Sequence, residues 1–144
     1  MFKDSAKILG LVAIIGLADS GYLTVKHLRG DYVRCDSDCS AVLGSKYADI
    51  NGVPIAGIGA IAYVAVLTAA ALGALGYTRA RYAVALLAFP MALISLWLIY
   101  LQAFVIHSFC KYCLLSAAAC ISLAALVIIE RLLGDRVQAG NFDE

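Results

Sequence analysis

The sequence contains few charged residues, and it has no internal repeat and no low-complexity segment. Charged residues make up 15% of its 144 positions and leave a formal net charge of +1, whereas a soluble domain averages about a quarter charged residues. The few lysines and arginines are scattered and form no basic stripe, which excludes nucleic acid as an expected partner. The absence of a repeat excludes solenoids and propellers. What the chain has instead is apolar surface: 63% of its residues are hydrophobic, a balance typical of membrane proteins.

Three long runs of the sequence contain no charged residue: Ile55–Gly76, Tyr82–Ile106 and Tyr112–Ile129. Each is long enough to cross a bilayer, which takes roughly 20 apolar residues. A fourth run, Ile8–Ala18, is interrupted by Asp19 and follows two lysines, as in a secretory signal peptide, but it lacks a clear small-residue cleavage site. We therefore predict four transmembrane helices in an all-α protein. The predicted spans are near residues 7–28, 55–77, 82–106 and 112–133, in a membrane domain of residues 1–134 that is followed by a short polar tail at 135–144.

The connections between the spans predict which segments share a membrane face. Thr78–Arg81 is read as a tight turn, the first loop is long, and the third loop is short. In the first loop Asn51-Gly52 is a turn signal, and Pro54 suits the first turn of the second helix. With four spans, the first and third loops share one face and both termini lie on the other. Six lysines and arginines lie on the side of the termini and five on the opposite side. This difference favours cytoplasmic termini in the plasma membrane.

Five cysteines are the most informative residues: two close pairs, Cys35 with Cys39 and Cys110 with Cys113, and a single Cys120. By loop parity the two pairs share one face, and disulfides persist outside the cytosol. We therefore expect the pairs to be extracytoplasmic. Cys120 lies in the middle of the last span, where a buried cysteine usually packs as a small hydrophobe.

The strongest motif is Cys110-Lys111-Tyr112-Cys113 at the start of the last helix. Ser108 is a candidate N-cap that would put both cysteines in the first turns. The helix dipole there stabilises a thiolate, which is the nucleophile in disulfide exchange. A redox-active pair is thus predicted, with a static disulfide or half of a metal site as the alternatives.

The pair Cys35 and Cys39 lies in a polar loop, where a thiol is accessible. Together with the CxxC pair it predicts a relay, in which one pair meets an outside protein and the other meets the membrane. The alternative for the loop pair alone is a static disulfide. All four cysteines could also hold zinc in a closed tetrahedral site. A structural zinc-binding membrane protein is therefore the main alternative function.

Three further residues within the spans have two interpretations each. Asp19 is ionisable within a span, and such residues normally face the bundle interior and mark a functional path. Its alternative role is a buried hydrogen bond to a neighbour. Trp97 and Tyr100 on the third span either line a pocket for a flat aromatic ligand or pack between helices.

With these residues laid out, the chain resembles the vitamin K epoxide reductase family in its prokaryotic form. The resemblance rests on pieces in a specific order. They are DSGYLTVKH at Asp19–His27, CSAVLGSKYA at Cys39–Ala48, NGVPIAGIGAIAY at Asn51–Tyr63, and CKYC at Cys110–Cys113.

This resemblance implies a fold and a reaction. The fold would be a four-helix bundle around a quinone, capped by a long extracytoplasmic loop with a short horizontal helix. Cys35 would exchange with a thioredoxin-fold partner, and Cys39 would pass the electrons to Cys110. Cys113 would then reduce the quinone, either ubiquinone or menaquinone. No thioredoxin-like domain follows the last helix, so the resemblance implies a separate, DsbA-like partner protein.

The resemblance also assigns supporting residues. Ser45 matches a loop serine that supports the site, and Asp19 is a candidate for the quinone site together with Cys113. Ala117 stands four residues after Cys113, where animal relatives carry a quinone-contacting tyrosine. This difference argues against vitamin K epoxide as the substrate. The expected enzyme is a quinone-dependent thiol–disulfide oxidoreductase.

Overall fold

The structure, a computed structural model, describes the backbone of residues 2–30 and 37–140 and the side chains of residues 4–30 and 40–134. Four long helices dominate this part of the chain and are apolar and long enough to cross a membrane. They are α1 (Phe2–Arg29), α3 (Ile55–Ala74), α4 (Thr78–Leu101) and α5 (Lys111–Gly140). Helix α1 packs against α3 and α5, and α4 packs against the same two helices. The predicted four-helix membrane bundle is confirmed.

The turn between α3 and α4 lies earlier than the sequence analysis predicts. Helix α3 ends at Ala74, Gly76 adopts a positive φ of 103°, and α4 already begins at Thr78. The interpretation of Thr78–Arg81 as a tight turn is therefore wrong. Arg79 and Arg81 lie in the first turn of α4, and charged side chains are stable there because the end of a membrane helix lies at the interface with water.

The first and last helices, α1 and α5, extend beyond their predicted spans. Helix α1 runs without a break through Asp19, and α5 continues to Gly140, into the segment assigned to the polar tail. A single ionisable residue does not interrupt a helix whose backbone hydrogen bonds are all internal. The division into a membrane domain and a tail stays a prediction.

The first loop contains a short helix and a hairpin. Helix α2 spans Ser37–Leu43, and strands β1 (Asp49–Ile50) and β2 (Val53–Pro54) pair antiparallel. Between the strands Asn51 and Gly52 both have positive φ, 54° and 85°, as a type I′ turn requires. Pro54 is the N-cap residue of α3 rather than a member of its first turn. It pairs with β1, which fixes the hairpin directly above α3.

Small residues fill the centre of the bundle. The buried cluster includes six alanines beside Leu9, Tyr63, Val66 and Leu123, and small side chains allow membrane helices to approach closely. The closest approach is at Gly16 of α1, where an added Cβ would overlap the ring of Tyr63. Tyr63 is completely buried. The position of this α3 side chain between α1 and α5 therefore depends on the absence of a side chain at position 16.

The outer surface of the bundle is strongly apolar. Large side chains such as Ile61, Leu86 and Leu93 are between 66% and 77% exposed. A soluble monomer rarely presents so much contiguous apolar surface, whereas lipid tails accommodate it. The chain is a multi-pass membrane protein.

Candidate functional site

A cavity of about 310 Å³ opens between the helix ends nearest to α2 and the hairpin. Small-molecule sites usually have volumes of about 300–1,000 Å³ and apolar walls with a few polar groups. Here α3 contributes Ile58 and Ala62, and α4 contributes Met91, Ile94 and Leu98. The polar groups in the wall include Ser20, His27, Ser45, Tyr47, Tyr63, Ser95, Gln102, Cys113, Ser116 and Cys120. The shape and lining suit a flat, mostly apolar ligand.

The two cysteines of the CxxC motif occupy different positions at the start of α5. The helix begins at Lys111, so Cys110 is the N-cap residue and Cys113 lies in the first turn. The carbonyl of Cys110 accepts the N–H of Leu114 at 2.9 Å, and its Sγ accepts the N–H of Cys113 at 3.5 Å. The expectation that Ser108 caps the helix is wrong. The sulfur of Cys110 takes the place of the usual capping oxygen.

Cys110 and Cys113 also face different surroundings. Cys110 is fully buried in a cluster with Leu23 of α1 and Leu43 of α2, and it is not among the residues that line the cavity. Cys113 is partly buried and lies in the cavity wall. Cys110 therefore faces the loop helix, and Cys113 faces the cavity.

The loop cysteines are only partly described. Cys39 belongs to α2, the helix whose Leu43 packs against Cys110, but its side chain lies outside the described residues. Cys35 lies outside them altogether. The pairing of the loop cysteines therefore stays a prediction.

Gln102 is a site residue that the sequence analysis missed. It is 2% exposed, lines the cavity and starts a turn of π-helix, Gln102–Ile106. Its side-chain Oε1 accepts the N–H of Cys110 at 2.9 Å, and its backbone oxygen accepts the N–H groups of His107 and Ser108. Such π-turns are often found at functional sites. One residue thus ties the whole α4–α5 connection, including Cys110, to the end of α4.

A polar network forms part of the cavity wall around Tyr63. The tyrosine hydroxyl lies 2.9 Å from the backbone oxygen of Ser116, to which it donates, and 3.0 Å from the Sγ of Cys120. Ser116 Oγ lies 3.4 Å from Ser20 Oγ. Cys120 is thus buried in the core, as expected, but it also contacts a hydroxyl at the cavity.

The other two predicted site residues, Ser45 and Asp19, lie in different surroundings. Ser45 lines the cavity, and its hydroxyl donates to the carbonyl of Val42 at 2.8 Å. Asp19 is 7% exposed and does not line the cavity. Its Oδ2 is buried without a hydrogen-bond partner among the described residues, and the carboxyl group lies within electrostatic range of Cys110. The structure therefore places Ser45 in the cavity wall and Asp19 in the buried interior outside it.

Two lysines and two tyrosines lie close to the N-terminal end of α5. Tyr112 packs against Tyr22 of α1 with ring centroids 5.4 Å apart. The ammonium groups of Lys111 and Lys26 lie 5.7 Å and 5.6 Å from these two rings. Cation–π contacts of this kind are stabilising. Each lysine lies beside a tyrosine of its own helix, and the contact between the two rings joins α1 to α5 next to the CxxC motif.

Trp97 and Tyr100 are about half exposed on the outside of α4 and do not line the cavity. The prediction that they line the pocket is therefore wrong, whereas Tyr100 packs against the ring of Phe104 with centroids 5.1 Å apart. Ala117, by contrast, is buried in the cavity wall, where its small side chain leaves room for a ligand.

The chain matches a known protein family. The model of the vitamin K epoxide reductase family matches residues 7–128, which is most of the chain. The matched region begins in α1 and ends in α5, so it includes all four spanning helices, the first loop and the CxxC motif.

Proposed function

Because the chain belongs to the vitamin K epoxide reductase family, it is a membrane thiol–disulfide oxidoreductase, and we propose that it oxidises a thioredoxin-fold partner at the expense of a membrane quinone. The observation that carries the proposal is the position of the two cysteines at the start of α5. Cys110 packs beneath the loop helix that contains Cys39, and Cys113 lies in the wall of a ligand-sized cavity. Electrons that arrive at Cys110 are thus one helical turn from a ligand in the membrane.

The relay would run through successive disulfide exchanges, each of which breaks one S–S bond and forms another. A thiolate of the partner attacks Cys35 in the Cys35–Cys39 disulfide and releases Cys39 as a thiolate. Cys39 attacks Cys110 in the Cys110–Cys113 disulfide and releases Cys113. The partner's second thiol then frees Cys35, which reforms the loop disulfide and leaves Cys110 and Cys113 reduced.

The residues of the cavity fit a quinone. A quinone bound there would accept the two electrons and two protons that Cys110 and Cys113 give up when they reform their disulfide. Cys113 Sγ is the group that would deliver the electrons, because Cys113 lies in the cavity wall and Cys110 does not. The N-terminal end of α5 favours the thiolate form that this reaction needs.

Ser45 and Asp19 have supporting roles in this proposal. Ser45, held by its hydrogen bond to Val42, shapes the wall of the quinone site below α2. Asp19, buried close to Cys110, would hold or move a proton as that thiol changes its charge. The cysteines would face the outside of the cell, with both termini in the cytoplasm. This orientation agrees with the charge distribution and with the oxidising environment that disulfides require.

The alternative of a structural zinc site has no observation in its favour. Among the described residues, no group of three or more His, Cys, Asp or Glu side chains is arranged to hold a metal. Elemental analysis of the purified protein tests this alternative directly, and a stoichiometric zinc content would favour it over the redox relay.

The direct test of the proposed function is quinone reduction by the purified protein, with a reduced thioredoxin-fold protein as the electron donor. Wild-type protein should reduce ubiquinone or menaquinone analogues, and Cys113→Ala should not, even when a small dithiol replaces the protein donor. Cys120→Ala is the matched control, because it removes a second cysteine that lines the cavity on the same helix. A Cys113→Ala protein with a normal rate would refute the proposed role of the cavity.

A further inference from the structure

The side-chain amide of Gln102 lies between the redox motif and the cavity. The residue is 2% exposed, yet it contributes to the cavity wall. It is also the only amide in the apolar run Tyr82–Ile106. Burial of an amide is costly unless its polar groups are hydrogen-bonded. The carbonyl oxygen and the –NH₂ group of the Gln102 side chain therefore each need a hydrogen-bond partner.

The orientation of this amide follows from its one described hydrogen bond. The backbone N–H of Cys110 can only donate, so the atom that faces it at 2.9 Å must be the carbonyl oxygen of Gln102. The –NH₂ group must then point away from Cys110. Among the described residues it has no hydrogen-bond acceptor, although it carries two donor hydrogens.

Other hydroxyl groups in the cavity wall already donate within the protein. Ser95 donates to the carbonyl of Met91 at 2.8 Å, Ser45 to that of Val42 at 2.8 Å, and Tyr63 to that of Ser116 at 2.9 Å. Gln102 differs from these three residues because its side chain is 2% exposed and its –NH₂ group makes no hydrogen bond within the described part of the chain.

We propose that the –NH₂ group of Gln102 donates a hydrogen bond to a carbonyl oxygen of the quinone while its Oε1 holds the N–H of Cys110. This inference rests on the proposed function. It makes Gln102 a binding residue for the electron acceptor and, through the second bond, a positioning residue for Cys110. The donor also faces the oxygen that gains negative charge on reduction, and fixed donors at such positions favour the reaction.

Because this hydrogen bond has a spectroscopic signature, it can be tested without turnover. Oxidised protein without a thiol donor is mixed with a short-chain ubiquinone or menaquinone analogue labelled with ¹³C at one carbonyl. In infrared difference spectra the labelled C=O band of wild-type complexes should shift to lower wavenumber relative to free quinone. In Gln102→Leu this shift should disappear, and the quinone Kd should rise roughly threefold to tenfold, as expected for one lost hydrogen bond.

Ser122→Ala is the matched control for this variant. Ser122 lies on α5 and does not line the cavity, and its hydroxyl donates to the carbonyl of Ala118 at 2.7 Å. The variant should keep the infrared shift and bind quinone within about twofold of wild type, because it removes a polar group that lies outside the site. A Gln102→Leu protein that keeps the shift and the affinity would overturn the inference.

A second measurement avoids substitution altogether, in case Gln102→Leu fails to fold. The chain contains two glutamines, Gln102 and Gln138, so side-chain ¹⁵N-glutamine labelling gives few signals. Solid-state NMR of this protein with ¹³C-carbonyl quinone should show ¹⁵N–¹³C dipolar coupling, and its absence from a saturated complex would refute the contact. If wild-type protein binds no quinone analogue, the proposed function fails as well. If it binds quinone without contact to Gln102, only this inference fails.

Discussion

Gly16→Ala tests the packing that positions the cavity wall. A Cβ at position 16 would overlap the ring of Tyr63, which is completely buried between α1, α3 and α5. Since the ring is completely buried, the added methyl group should act as overpacking, which typically costs about 1–3 kcal/mol. The variant should also bind quinone more weakly, because Tyr63 lines the cavity.

Gly10→Ala separates this clash from helix propensity. Gly10 lies in the same helix, and an added Cβ there meets nothing within 4 Å. Replacement of a helix-interior glycine by alanine stabilises by about 0.5–1 kcal/mol in both variants. The difference between the two unfolding free energies therefore isolates the overlap with Tyr63 and should be about 1–3 kcal/mol.

The measurement is reversible unfolding in mixed detergent micelles, followed by circular dichroism, for wild type and both variants. In a Tyr63→Leu background the ring is gone, so Gly16→Ala should change from destabilising to neutral or stabilising. If Gly16→Ala and Gly10→Ala are equally stable, the close approach of α1 to Tyr63 is not what positions this side chain.

Three further predictions concern the relay and its orientation. The double variant Cys35→Ala, Cys113→Ala should accumulate a Cys39–Cys110 disulfide, detected by mass spectrometry, because both resolving thiols are missing; its absence would rule out this contact pair. Asp19→Asn removes a buried carboxyl group near Cys110 and should slow quinone reduction, whereas unchanged rates from roughly pH 6 to 8 would leave Asp19 a packing residue. Impermeant thiol reagents, applied after mild reduction, should label Cys35 or Cys39 from outside the cell, and labelling only from the cytoplasm would reverse the orientation.

The sequence predicted the spans well because absence of charge is a direct physical requirement of the bilayer core. It predicted their ends less well. Thr78 starts α4 although two arginines follow, and Lys111 starts α5, since charged residues are tolerated at the membrane interface. The hairpin at Asp49–Pro54 was signalled only by its Asn51-Gly52 turn, because strands of two residues are too short to show an alternating pattern.

The sequence could not predict how each helix is rotated about its own axis. Helices that are apolar on all sides carry no amphipathic pattern to indicate which face is buried. Trp97 and Tyr100 therefore could not be assigned to the outer surface, nor Met91, Ser95 and Leu98 to the cavity. Gln102 did leave a signal, as the one amide in its span, eight residues before Cys110. Its significance depends on the π-turn that brings these two residues together, and no local sequence rule predicts that turn.

The position of the helix start determines how the spacing of the CxxC motif would serve the proposed relay. With Cys110 as N-cap and Cys113 three residues into α5, the sulfur of Cys110 lies 3.5 Å from the backbone nitrogen of Cys113. The two residues are therefore neighbours, as the proposed disulfide between them requires. Three residues also advance the helix by about 4.5 Å. That advance carries the motif from a thiol beneath the loop helix to a thiol in the wall of the membrane cavity. A cap at Ser108 would have put both cysteines inside the helix. The capping role of Cys110 thus divides the motif between a thiol beneath the loop helix and a thiol in the cavity wall.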